Sequence, residues 1–183
     1  MWWVVLLIII AVLLIICFMI YNSLIMSRNV VSNAWSQIDV QLKKRYDLVP
    51  NLVETVKGYA KHEKQTLSDI TKMRTQAMNA KDLNAKMKAN DKMSKAISGL
   101  LNVVVENYPQ LRASENFLML QEELSGIENK IAYSRQYYND SIMNYNNKVQ
   151  MFPTNIFANM FGFKEKQFLE TEKTERKNIK VSF

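Results

Sequence analysis

The chain has 183 residues, with 24 Lys and Arg against 17 Asp and Glu, for a net charge of +7 at pH 7. One His and one Cys exclude a multi-histidine metal site and any disulfide framework within the chain. Only 4 Gly and 3 Pro leave little material for phosphate-cradling loops or a sheet with many turns, so composition points to helices.

No charged side chain precedes Arg28, and from Trp2 to Tyr21 nearly every residue is apolar. About 20 residues at ~1.5 Å rise cross the ~30 Å hydrocarbon core of a bilayer. Trp2 and Trp3 at one end, and Phe18 and Tyr21 at the other, suit the two lipid–water boundaries, with Cys17 inside the span. The run lacks a basic leading segment and a small-residue cleavage site, and it is too long for a secretory signal. Ile16 before Cys17 does not fit an acylated cysteine. A retained single-pass anchor over residues 1–24 is expected. Arg28, Lys43, Lys44 and Arg45 all follow it, which puts the remainder on the cytoplasmic side and the short N-terminus outside.

Beyond the anchor, apolar residues recur at steps of three and four. Leu24, Val31, Trp35, Ile38, Leu42 and Val49 share one stripe, so the anchor helix is expected to run on unbroken to residues 44–46. Asp47 and Pro50 then mark a corner, since Asp caps helices and Pro is tolerated in a first turn. A second helix carries Val53, Val56, Ala60, Leu67, Ile70 and Ala77, and fades over residues 79–90. A third carries Met93, Ile97, Leu100, Leu101, Val104 and Tyr108, and stops before Pro109. Ser114 caps a long fourth, whose seam is Phe117, Leu120, Leu124, Ile127, Ile131, Tyr138, Ile142, Tyr145 and Val149; it ends before Pro153. The expected fold is all-α: one N-terminal transmembrane helix continuing into a long antiparallel four-helix bundle, with coiled-coil-like packing. The domain reading is anchor 1–24, cytoplasmic bundle 25–163 with a short extra helix near residues 155–160, and a charged, partly disordered tail over 164–183.

Two stretches bear on the bilayer. Lys81, Lys86, Lys88, Lys92 and Lys95 cluster between the second and third helices, as a solvated loop or as a contact with anionic headgroups. A second helix of about 30 residues descends ~45 Å, which returns this cluster toward the membrane. The fourth helix returns too, and ends at MFPTNIFANMFGF. There Phe152, Phe157, Phe161 and Phe163 either lie in the interface or fold back to cap the bundle core.

Charged residues also interrupt the core stripes. Arg45, Glu63, Arg74 and Arg135 either snorkel outward or form an interhelical ion-pair layer centred on Glu63 and one arginine. Tyr138-Asn139 and Tyr145-Asn146 stand seven residues apart and face one way. Their tyrosines fill the seam while the asparagines bond across helices or to solvent, or else the pairs form a binding face. His62, among Lys61, Glu63 and Lys64, reads as a surface residue. No Walker, dinucleotide, nucleophile-elbow or zincin motif is present, so no enzyme, cofactor or metal is expected. No nucleic-acid module accompanies the basic charge.

The segments YNSLIMSRNVVSNAWSQIDVQLKKRYDLVPNLVETVKGYAKHE, NYPQLRASENFLMLQEELSGIENKI, the YND and YNN pair and MFPTNIFANMFGF, taken in order, resemble the LemA family. The resemblance covers the chain to about residue 170. It implies a short extracytoplasmic N-terminus, one anchor in a bacterial inner membrane and a long-helix bundle. Some relatives are associated with building magnetosome membranes. The expected function is a non-enzymatic membrane scaffold, acting through self-association into homo-oligomers, with the lipid bilayer as partner. The alternative is an adaptor subunit of a membrane protease, transporter or signalling complex.

Overall fold

The computed structural model describes residues 1–169. In chain order the elements are α1 (Trp2–Lys57), a 3-10 turn (Lys61–Glu63), α2 (Lys64–Asn79), α3 (Leu83–Asn107), the single turn α4 (Pro109–Arg112), α5 (Glu115–Gln150) and α6 (Thr154–Met160). The chain is all-helical, with no strand among the described residues. It divides into unit 1, Met1–Gln37 with Ser134–Phe183, and unit 2, Ile38–Tyr133. Helices α1 and α5 contribute to both.

Helix α1 is 56 residues long and does not turn at Asp47 and Pro50, where the sequence predicts a corner. Proline has no N–H for the carbonyl four residues back, here that of Tyr46. Arg74 Nε donates to that carbonyl at 2.7 Å, which supplies the missing bond from another helix. The helix stops instead at Lys57–Gly58, where Tyr59 and Ala60 give their N–H groups to Val56 O at 3.0 and 2.8 Å. A basic last turn followed by glycine is an ordinary stop signal.

Along α1 the buried residues are Leu24, Ser27, Val31, Ala34, Ile38, Leu42, Arg45, Tyr46, Val49, Leu52 and Val56; apart from Tyr46 beside Arg45, they fall at steps of three and four. That is the 3.5-residue spacing of a coiled-coil seam. Ahead of it lies an 18-residue window long and apolar enough to cross a bilayer, none of it buried.

The next two boundaries also move. Helix α2 has 16 residues, ~24 Å, about half the predicted descent. Helix α3 begins at Leu83, ten residues before Met93, because Asp82 Oδ2 accepts from Ala85 N at 3.0 Å as its N-cap. Helix α5 follows Ser114 and ends before Pro153 as the pattern predicts. The short helix near residues 155–160 is α6.

In unit 2, Leu67, Ile70 and Ala77 of α2 and Met87, Met93, Ile97, Leu100 and Val104 of α3 are buried, with Leu111 of α4. Unit 1 buries Tyr138, Ile142, Tyr145 and Val149 of α5 together with Ala158, Phe163 and Leu169.

Candidate functional site

The uncovered face of α1 is the most extensive candidate surface. Trp2 and Trp3 are 89% and 80% exposed, Phe18 is 70% exposed and Tyr21 is 38% exposed, whereas Cys17 is half-buried. A water-facing surface of this composition is unstable, and a hydrocarbon surround removes the cost.

Within unit 1 the phenylalanine segment is buried at one end and exposed at the other. Phe163 is buried. Its ring lies 6.0 Å from that of Tyr21, with the Arg28 guanidinium 5.6 Å above it. Phe161 meets Tyr21 edge-on at 4.9 Å while staying exposed, Phe157 is half-buried, and Phe152 is exposed. One end of this segment closes the core and the other leaves apolar side chains outside it.

After Phe163 the chain runs extended along α5. The turn into it uses Gly162 at φ +73°, a conformation that glycine adopts without a Cβ clash. Asn146 Nδ2 donates to Lys166 O and Asn146 Oδ1 accepts from Lys166 N, both at 2.9 Å. Asn139 Oδ1 accepts from Leu169 N at 2.9 Å and its Nδ2 donates to Leu169 O at 3.4 Å. Tyr145 Oη donates to Lys164 O at 3.0 Å. The spacing explains the fit: seven helical residues rise ~10.5 Å, and three extended residues cover ~10 Å. Asn139, Tyr145 and Asn146 therefore bind the main chain of residues 164–169 as a strap, whereas the Tyr138 ring meets Trp35 edge-on at 6.2 Å. The rest of the tail lies outside the described residues. Burial pushes the Tyr138 and Tyr145 phenols up, with Arg28 partly opposing it at Tyr145.

Unit 2 holds a buried cation. Arg45 is 1% exposed. Its Nη1 donates to Asn90 Oδ1 at 3.1 Å and to Ser94 Oγ at 2.5 Å, and its Nη2 pairs with Glu128 Oε2. The carboxylate that meets Arg45 is thus Glu128 of α5, where the sequence suggests Glu63. Glu63 sits in the turn before α2, where its Oε2 accepts from Thr66 Oγ1 at 3.4 Å. Arg74 serves the Tyr46 carbonyl, and Arg135 is half-buried on α5. Burial pulls Arg45 down to about 10, against the pull of Tyr46 and then Asp91. Burial pushes the neighbouring Tyr46 up to about 12, Arg45 opposing and Asp39 adding to it. The Tyr46 hydroxyl meets no hydrogen-bond partner among the described residues.

Arg45 also floors a cleft of about 280 Å³ between α3 and α5, walled by Ser94, Ser98, Ser125 and Glu128 among others. No His, Lys or Cys lines it, and its one carboxylate is engaged with Arg45. Ser94 Oγ donates to that same carboxylate at 3.2 Å. Among the described residues no group of three or more His, Cys, Asp and Glu lies close enough to hold a metal ion. His62 is exposed. In the basic run, Lys86 is half-buried and pairs with Asp39 of α1, while Lys81, Lys88, Lys92 and Lys95 are exposed.

Sequence reasoning missed Glu128, Asn90 and the strap. Asn90 carried a signal, falling on the stripe between Met87 and Met93. The other two involve partners far away in the chain.

The chain is similar to known bacterial proteins. The sequence pattern of the LemA family matches residues 34–183. Protein LemA of Metamycoplasma hominis is 28% identical over 162 residues, covering 88% of this chain and 74% of the relative. Magnetosome proteins MamQ 1 and MamQ 2 of Paramagnetospirillum magneticum are each 25% identical over 178 aligned positions, covering 83% of this chain and 65% of theirs.

Proposed function

The chain belongs to the LemA family, and from that premise we propose that it is a non-enzymatic scaffold of a bacterial inner membrane, organising the bilayer through self-association. The observation that carries this reading is α1 itself. One helix holds an apolar stretch that nothing covers, then a buried 3.5-residue seam that belongs to the helical domain. A protein built this way is inserted by its first span, and the same helix continues past it as part of the helical domain.

The finer features follow from the same premise. Residues 1–24 are the anchor, the N-terminus lies outside, and the helices stand in the cytoplasm as an antiparallel four-helix bundle with coiled-coil-like packing. Long helices offer outer faces for like copies, and the likeness to proteins named for the magnetosome supports a role in shaping membrane.

Native mass with subunit composition, measured on the full chain in mild detergent, tests the proposal. A scaffold gives large homo-oligomers. A small stoichiometric hetero-complex would instead identify an adaptor of a membrane protease, transporter or signalling assembly.

A further inference from the structure

We propose that the apolar face of residues 151–161, with a basic rim of Arg28, Lys148, Lys164 and Lys166, is a docking surface for anionic phospholipid, entered beside the point where α1 leaves the hydrocarbon. This rests on the reading of α1 as a membrane anchor and adds a second lipid contact, one that does not span.

Exposure is the first observation. Met151, Phe152, Ile156 and Met160 are 62%, 80%, 56% and 63% exposed, and Phe161 adds 43%. So many large apolar side chains from one short stretch make a patch of the kind that soluble surfaces avoid. Ile156 and Met160 stand one helical turn apart on α6, so they face the same way. Phe163 and Ala158 are buried beneath, which holds the segment down and turns its other side outward.

Continuity selects the occupant. The patch is joined to α1 through Phe161 on Tyr21, and Tyr21 closes the run in which Phe18 and Met19 are 70% and 56% exposed. A surface continuous with the lipid-facing side of a span is solvated by the same lipid. A protein partner on the patch would have to displace that bilayer.

Charge selects the lipid. The described part of unit 1 carries five basic residues (Arg28, Arg135, Lys148, Lys164 and Lys166) against Asp140 and Glu165, a surplus of three. Four of the five are tied to this end. Arg28 covers Phe163. Lys148 Nζ donates to Ser23 Oγ at 2.9 Å, two residues past Tyr21. The strap holds Lys164 and Lys166 by their main chains, leaving both side chains exposed. Aromatic and aliphatic groups in the acyl boundary with cations at headgroup level form an interfacial docking face. The sequence offered the cluster at residues 81–95 for this role; the fold gathers a different set beside the span.

The test uses the full chain in nanodiscs of phosphatidylcholine with or without phosphatidylglycerol, in a Cys17→Ala background. An environment-sensitive label is placed in turn at Phe152→Cys, Met160→Cys, Phe18→Cys and Lys88→Cys, and quenched by lipids carrying a shallow or a deep nitroxide. The proposal predicts shallow quenching at 152 and 160, deep quenching at 18, and neither at 88. Lys164→Glu with Lys166→Glu should reduce quenching at 160 only when phosphatidylglycerol is present, each removed cation weakening the contact about fivefold. Circular dichroism checks that the labelled chains keep their helices. Deep quenching at 18 with none at 152 and 160 overturns the docking face and leaves the anchor standing. Absence of quenching at 18 overturns both. Shallow quenching at 88 matching that at 160 returns the role to the cluster at residues 81–95 and overturns the assignment made here.

Discussion

In unit 2 the seam of α1 buries Arg45, a charge whose partners are side chains on α3 and α5. In unit 1 the seam of α5 buries Asn146, a neutral amide whose partner is the main chain of Lys166. The first arrangement depends on the identity of both partners, because removing Glu128 leaves a desolvated cation. The second depends only on the asparagine, since every residue at 166 except proline offers the same N–H and C=O. Helical seams thus tolerate polar residues by two routes, and the routes differ in what substitution does to them.

The largest expected effect separates them directly. Glu128→Ala should cost about 2–3 kcal/mol in thermal unfolding, below the full buried-pair value because Glu128 is half exposed. Adding Arg45→Met should recover much of that loss. Additive losses in the cycle would refute the pairing. Next, Asn146→Ala should weaken the strap by ~1–2 kcal/mol. Amide exchange at Lys166 and Leu169 would rise, whereas Lys166→Gln should leave exchange at Leu169 unchanged. A strap released equally by Lys166→Gln would mean that side chains, not main chain, hold it.

Arg74→Met should cost ~1 kcal/mol by leaving the Tyr46 carbonyl without a donor. Pro50→Ala supplies an N–H to that carbonyl, so the two changes together should cost less than Arg74→Met alone. The smallest effect concerns Tyr46. Its folded pKa, about 12, lies above the ordinary 10, so the stability it contributes is complete below pH 10 and lost as pH rises toward 12. Tyr46→Phe should change stability by less than ~0.5 kcal/mol at pH 7, since the hydroxyl has no partner to lose. It should also flatten the alkaline decline between pH 10 and 12, which unfolding midpoints across that range would show.

These pairs also mark what could be read from the chain beforehand. The span, the all-helical class, the seam residues of α5 and the position of α6 all follow from local periodicity and hydropathy, which a sequence displays openly. Pro50 misled because its cost is offset by Arg74, 28 residues away and on another helix. Lys57 followed by Gly58 did announce the true end of α1, but the apolar stripe on either side outweighed it. Glu128 stands 83 residues from Arg45, and nothing in a one-dimensional pattern ties that carboxylate to that cation more than Glu63. The strap left no pattern because its partner is backbone, which every residue possesses. The heptad spacing of the two asparagines was visible; what they hold was not.

On the proposed reading, one unbroken helix passes from lipid into the seam of the helical domain. Residue-resolved amide hydrogen exchange of the full chain in nanodiscs, across residues 20–57, tests it most directly. One continuous protected stretch through residues 23–28 and past Pro50, ending at Lys57–Gly58, is expected. A window of fast exchange at 23–28, with protection on both sides of it, would contradict it by making the anchor a tether joined to a separate domain.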